Sequence, residues 1–262
     1  MSGIRSKTIL FVTGAFVSHY CWNDWAAFFE SNGYKTVLPS WPAKEGEPAA
    51  LRASQPNKAI AELRLAQVID HYANIARNLP EKPIIIGHSL GGLITQVLVN
   101  RGLSAGAIAI HSVPPQGILP YELNFLKSNT KALGYFTSID EAYLRSFPSF
   151  QFAFTNGMPL AEQQAAYDAL CIPESKRVVR DGLTSAAAVD FSKPHPPLLF
   201  LAGTEDHCIP PTLNERTFKK YKKNDTPGSV TEFVLKQRNH FVLGLPTWKE
   251  DAGYVLDWIK KH

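Results

Sequence analysis

The chain has 262 residues, 45% of them hydrophobic and 19% charged, which is enough to bury a full core and close to the upper size of a single domain. Lys and Arg number 27 against 23 Asp and Glu, a formal charge of +4, and the only basic cluster is Lys219, Lys220, Lys222 and Lys223. With no aromatic or Gly-rich pattern beside it, that cluster reads as a solvated helix end and argues against a nucleic-acid partner.

Three cysteines, Cys21, Cys171 and Cys208, are odd in number and widely spaced. That spacing suggests neither a disulfide framework nor a metal knuckle and fits a reducing cytoplasm. The segment 1–7 is short and polar, and no apolar run approaches the ~20 residues of a membrane span. A soluble, unexported, cytoplasmic protein is expected, with no metal and no organic cofactor.

The first apolar run, Thr8 to Val12, is continuous and partly β-branched, and it stops at Thr13-Gly14, as a strand buried on both faces would. Trp22, Trp25, Phe28 and Phe29 follow at helical spacing until Asn32-Gly33, and Lys35 to Leu38 predicts a second short strand. From Pro39 to Asn57 the chain is rich in Pro, Gly, Ala and charge and predicts a long loop. Ile60 to Leu79 carries an apolar helix face ended by Pro80. Pro83 to Ile86 predicts a strand, Leu90 to Asn100 a helix and Ala105 to Ile110 another strand. Such alternation implies βαβ units and a doubly wound, mostly parallel α/β sheet.

Between Pro114-Pro115 and Pro194 the alternation fails. The segment is helical and aromatic, with Phe125, Tyr135, Phe136, Phe147, Phe150, Phe152 and Phe154, and predicts an inserted cap over 116–193 on a core of 1–115 and 194–262. The rings serve either as the cap's own core or as the lining of a pocket, to which Trp41 and Pro42 of the long loop would add. Strand patterns return at Pro197 to Ala202 and Val230 to Leu235, and Trp248 to Lys261 predicts the last helix.

Gly87-His88-Ser89-Leu90-Gly91 has the form Gly-x-Ser-x-Gly, which arises by chance in roughly one chain in ten to twenty. Its position carries more weight, because it joins the end of a predicted strand to the start of a predicted helix. A serine on so tight a turn needs small neighbours, which Gly87, Gly91 and Gly92 provide. The helix start would then offer its free amides, that of Leu90 first, to a developing oxyanion.

A serine hydroxyl needs a histidine to take its proton and a carboxylate to hold that histidine in the useful tautomer. His240 follows the strand Val230 to Leu235 after a short linker and is the best placed base. His88 sits inside the turn pointing away from Ser89, and His195 lies at the wrong end of the sheet. Asp206 follows the strand that ends at Ala202 and is the acid expected, with Glu205 its rival and Asp181 and Asp190 held in reserve. The chain order Ser89, Asp206, His240 is the order expected of this fold. Cys208 reads as a small buried hydrophobe near this site.

On Val12-Thr-Gly-Ala15 followed by Trp22, Gly87-His-Ser-Leu-Gly-Gly92, Gly203-Thr-Glu-Asp206 and Asn239-His240, the chain resembles the α/β-hydrolase superfamily. The likeness is to cap-bearing members such as plant methyl-ester esterases, hydroxynitrile lyases and bacterial carboxylesterases. The resemblance implies a serine hydrolase cleaving an ester or related acyl bond of a small, partly apolar substrate. It also implies that the Ala15 amide is the second oxyanion donor, with Phe16 as a fallback. Thr13 stands where the family usually has His, which leaves the bracing of that turn open. A serine at this position argues against dehalogenase or epoxide hydrolase chemistry. Hydroxynitrile lyase, carbon–carbon hydrolase and perhydrolase activity, or a receptor-like relic of the fold, remain alternatives.

Overall fold

The computed structural model describes residues 3–135, 137–225 and 229–262, so Phe136 of the expected cap lies outside the described residues. The first half runs β1 (Thr8–Val12), α1 (Asn23–Ser31), β2 (Lys35–Val37), α2 (Pro48–Ala53), α3 (Lys58–Glu62), α4 (Leu65–Asn78), β3 (Ile84–His88), α5 (Leu90–Asn100) and β4 (Gly106–Ile110). Among the described residues, four helices follow without a strand between them: α6 (Leu123–Leu133), α7 (Phe147–Ala153), α8 (Leu160–Leu170) and α9 (Lys176–Asp181). The chain closes with β5 (Leu198–Gly203), α10 (Pro211–Lys223), β6 (Thr231–Lys236) and α11 (Trp248–Lys261).

The strands form one sheet in the order β2-β1-β3-β4-β5-β6, parallel throughout. Both faces of its centre are covered, which is why these strands read as unbroken apolar runs rather than alternating ones. Ile9, Phe11, Ile84, Ile86, Ile108 and Ile110 pack with Trp25, Phe29, Val255 and Ile259 of α1 and α11. Leu10, Val12 and Ile85 pack on the opposite face with Val68, Tyr72, Leu93 and Val97 of α4 and α5. The chain goes from β1 outward to β2 and then back past β1 to β3, so the order reverses between β1 and β3. In open α/β sheets, the crevice beyond the strand ends at such a reversal is where ligands bind. Val12 pairs with Gly87 there, which brings the turn after β1 against the turn after β3.

The structure departs from the sequence reading in three places. The loop expected over Pro39–Asn57 contains α2, which starts with Pro48 in its first turn, where a missing N–H costs nothing. The single helix expected over Ile60–Leu79 is two helices, because Leu63 (ψ 138°) and Arg64 (φ −115°, ψ 150°) are extended. Asp181 of α9 holds that break open: it accepts from Arg64 Nε (2.7 Å) and Nη2 (2.6 Å) and from the Leu65 N–H (3.1 Å), capping α4 from a distant segment. The third strand runs on through Gly87-His88, two residues further than its apolar run implied. Among the described residues, no helix is long and apolar enough to cross a membrane.

Candidate active site

At the end of β3 the chain turns directly into α5 at Ser89, whose φ of 58° and ψ of −122° lie in a region a non-glycine residue rarely adopts. The neighbours explain how that strain is held. A Cβ on Gly91 would run into the carbonyl of Val12, and one on Gly87 would strike the Gly91 carbonyl and Thr95 Oγ1. The Ser89 N–H donates to the Ile110 carbonyl (2.9 Å), and the Ser89 carbonyl accepts from Gly92 (3.0 Å) and Val113 (3.0 Å). The serine therefore sits on a backbone fixed from both sides at the sheet's carboxyl edge.

Ser89 Oγ lies 3.0 Å from His240 Nε2, and His240 Nδ1 lies 2.7 Å from Asp206 Oδ2. Both partners stand a few residues past strand ends, His240 after β6 and Asp206 after β5, and both are buried. Asp206 Oδ1 also accepts the Ile209 N–H at 2.7 Å, which fixes the carboxylate's rotation. Burial alone would lower the proton affinity of His240, but the Asp206 carboxylate outweighs it and raises the imidazole above its ordinary value, with a smaller push from Cys208. Burial alone would raise Asp206, yet His240 and His111 hold it well below the usual carboxylate range.

His111 was not singled out by the sequence reading. It follows β4 with a φ of 46°, is fully buried, and places Nδ1 2.7 Å from Asp206 Oδ2, the same oxygen that His240 uses. An ionised carboxylate only accepts, so both rings donate to it, and His111 Nε2 has no partner among the described residues. The signal available in sequence was its place at a strand end and the glycine facing it: a Cβ on Gly203 would lie 2.5 Å from His111 Cε1.

His88 points away from Ser89 as expected, and its Nε2–H donates to the His240 carbonyl at 2.9 Å, pinning the base's loop. Burial, then the neighbouring His240 and His111, push its proton affinity well below the ordinary imidazole value. Nitrogens of His88, His111 and His240 lie within 4.8 Å of one another, but His240 could ligate a cation only by releasing Ser89 or Asp206.

The turn after β1 abuts the serine closely, since a Cβ on Gly14 would lie 2.8 Å from Ser89 Cβ. Where Thr13 replaces the expected histidine, bracing comes from elsewhere. The Thr13 N–H donates to Tyr72 Oη (3.3 Å), Tyr72 donates on to the Pro39 carbonyl (3.2 Å), and Trp41 Nε1–H donates to the Thr13 carbonyl (3.1 Å). Trp41, expected as pocket lining, is therefore a buried strut and is absent from the cavity wall. Among the described residues, the Ala15 and Leu90 amides find no protein acceptor. The Phe16 amide does, donating to Glu174 Oε2 (3.3 Å), whose carboxylate is also paired with Lys44.

The remaining candidates are occupied elsewhere. Glu205 is exposed and bonded to Thr204, Asp181 caps α4, Asp190 bonds Ser192, and His195 lies by Pro196 and Asp225 at the sheet's amino edge.

Ser89, Leu90, Ala15 and Phe16 open onto a cavity of about 390 Å³. Phe125, Tyr135 and Phe154 line it, as does Cys208. Phe147, Phe150 and Phe152 pack on other rings: Phe150 stacks on Phe154 (4.8 Å), Phe147 meets Tyr167 (5.5 Å) and Phe152 meets His207 beyond β5 (4.8 Å). Leu119, Leu126 and Tyr135 are exposed at the cavity's rim.

A sequence profile described as the alpha/beta hydrolase family matches residues 9–250. No curated protein matches by sequence. Among solved structures, an extracellular alpha/beta-hydrolase from a Paenibacillus species is 18% identical with a TM-score of 0.68, covering 95% of this chain and 98% of the other. A mutant of polyneuridine aldehyde esterase is 14% identical with a TM-score of 0.65, covering 97% and 99%. A methylesterase from Arabidopsis is 16% identical with a TM-score of 0.64, covering 97% and 99%. At such identities the likeness is one of fold.

Proposed function

Because the chain belongs to the alpha/beta hydrolase family, we propose that it is a serine esterase that cleaves a carboxylic ester of a small, partly apolar substrate through an acyl-enzyme on Ser89. The observation that carries this reading is the continuous chain from Ser89 Oγ through His240 to Asp206, at 3.0 Å and 2.7 Å, beside two amides with no protein acceptor among the described residues. His240 takes the Ser89 proton as Oγ attacks the acyl carbon, and Asp206 holds the imidazole and stabilises the imidazolium that forms. The Ala15 and Leu90 amides receive the oxyanion, each such donor being worth about a hundred- to a thousand-fold in rate. His240 then protonates the leaving alcohol, and water activated by the same base releases the acid. None of these steps calls on a metal or an organic cofactor.

Residues 116–193 are taken as the cap that decides which molecules reach Ser89. Reaction with a fluorophosphonate probe tests the core of the proposal: the protein should label at Ser89 and lose labelling in Ser89→Ala and His240→Ala. A protein that turns over 4-nitrophenyl esters normally after Ser89→Ala would overturn it, and a chain that never labels would be a non-catalytic relic of the fold.

A further inference from the structure

Arg145 is fully buried among the residues that line the Ser89 cavity. Buried cations in proteins are paired with carboxylates or fully satisfied, because a lone charge taken out of water is strongly unfavourable. Arg145 has no such partner among the described residues. Its Nη1 donates to the Ser128 carbonyl (2.7 Å) and Ser149 Oγ (3.3 Å), and Nη2 donates to Asn129 Oδ1 (3.2 Å). All three acceptors are neutral. Of the five N–H donors of a guanidinium, that leaves one on Nη2 and the Nε–H, and Nε has no hydrogen-bond partner among those residues.

The surroundings sharpen the imbalance. The guanidinium carbon lies 4.3 Å from the centre of the Phe16 ring and 5.4 Å from that of Phe154, contacts that soften a positive charge without neutralising it. On the other side, Glu174 bonds the Phe16 amide but is already paired with buried Lys44, so the three charged groups around Phe16 sum to one uncompensated positive charge. Among the described residues, no other one lining the cavity is charged. Phe154 also meets the His240 ring edge-on at 4.7 Å, so a single phenyl ring separates the guanidinium from the base.

We propose that Arg145 binds a carboxylate carried by the substrate, so that the ester cleaved at Ser89 bears a second, ionised acid group, and this rests on the esterase reading of Ser89. A monoanion matches the wall's single cation. A phosphate dianion would bring a second charge with no second cation to meet it. The planar guanidinium also suits the flat carboxylate better than a point charge would. The apolar remainder of the cavity holds the chain or ring between the two acid functions.

Binding and turnover separate this proposal from the esterase reading itself. In protein carrying Ser89→Ala, calorimetry should find hexanoate and 4-phenylbutanoate bound at least ten-fold more tightly than hexanamide and 4-phenylbutanamide. That preference should vanish with Arg145→Gln added and persist in part with Arg145→Lys. Equal binding of acid and amide, or a preference that survives Arg145→Gln, overturns the proposal. The acid-against-amide comparison needs no change at Arg145, so equal binding of acid and amide overturns the proposal even where Arg145→Gln fails to fold. In the wild-type enzyme, the ratio of kcat/KM for mono-4-nitrophenyl adipate over 4-nitrophenyl pentanoate should exceed one and fall at least ten-fold in Arg145→Gln. Carboxylate binding through Arg145 with no turnover of either ester would sink the esterase reading and keep the anion site. Turnover of both esters with no acid preference would do the reverse.

Discussion

Ser89 stands between two walls of opposite character. On one side lie Asp206, His240, His111 and His88, four buried titratable groups joined by hydrogen bonds of 2.7–3.0 Å through Asp206, Ser89 and the His240 carbonyl. On the other lies a largely apolar cavity whose one charged side chain among the described residues is Arg145. The first wall comes from residues at or just beyond the ends of β3, β4, β5 and β6, so the sheet itself sets their spacing. The second comes mainly from α6, α9 and the loops around them, held by side-chain packing. On the proposed esterase reading, the comparison teaches a division of labour: the sheet edge sets the chemistry, and the helical segment sets what reaches it.

The largest break in that comparison is Ser89→Ala, which should cost about 10⁶-fold in kcat while leaving the cavity wall as it was. Ester turnover and carboxylate binding, measured on the same preparation, should therefore part company. Asp206→Asn should cost about 10⁴-fold, since an amide cannot hold His240 in the same tautomer. A smaller loss would mean that the carboxamide, held by the His111 donor, still presents its oxygen to His240.

His111→Leu sharpens the polar wall. Removing one of the two donors leaves the Asp206 charge to His240 alone and raises that ring's proton affinity further. Because His240 must be neutral to act as the proposed base, activity should rise with pH, and the acid limb of kcat/KM should move upward by about one pH unit at most. His111→Asn, which can still donate to Asp206, should move it less. A limb that stays in place in both variants would reduce His111 to a packing residue.

On the opposite wall, Phe125→Ala should shift the preferred acyl length of a 4-nitrophenyl ester series by several-fold in kcat/KM with the pH profile unchanged. Its stability cost should fall below the roughly 3–5 kcal/mol of an enclosed Phe, because the ring already borders a cavity. The smallest effect is His88→Gln. Buried His88 resists the proton that the unfolded chain accepts near 6.5, so the folded state loses stability as pH falls below that value. The variant should lose less Tm than the wild type between pH 6.5 and 5.

The strands, the elbow and the candidate triad were legible in the sequence, because each is written in residues close together in the chain. Thr8 to Val12 and Pro83 to Ile86 read as buried strands, and Ser89, Asp206 and His240 followed from applying one rule to strand ends. The same rule, applied to β4, would have reached His111, with Gly203 as the space it needs. Other features had no local signature. Tyr72 braces Thr13 across 59 positions, and Asp181 splits a helix at Arg64 across 117. Periodicity reports which face of an element is apolar, not which distant carboxylate or hydroxyl will meet its backbone.

The sequence by itself determined the fold class and the three residues at the sheet's edge, since backbone period and strand-end placement are local properties. Only the tertiary structure decided that Trp41 is a strut rather than a lining, that His111 shares the Asp206 oxygen, and that Arg145 lies buried without a counter-charge among the described residues. Those outcomes depend on where segments separated by tens of residues come to rest, and long-range packing alone sets that.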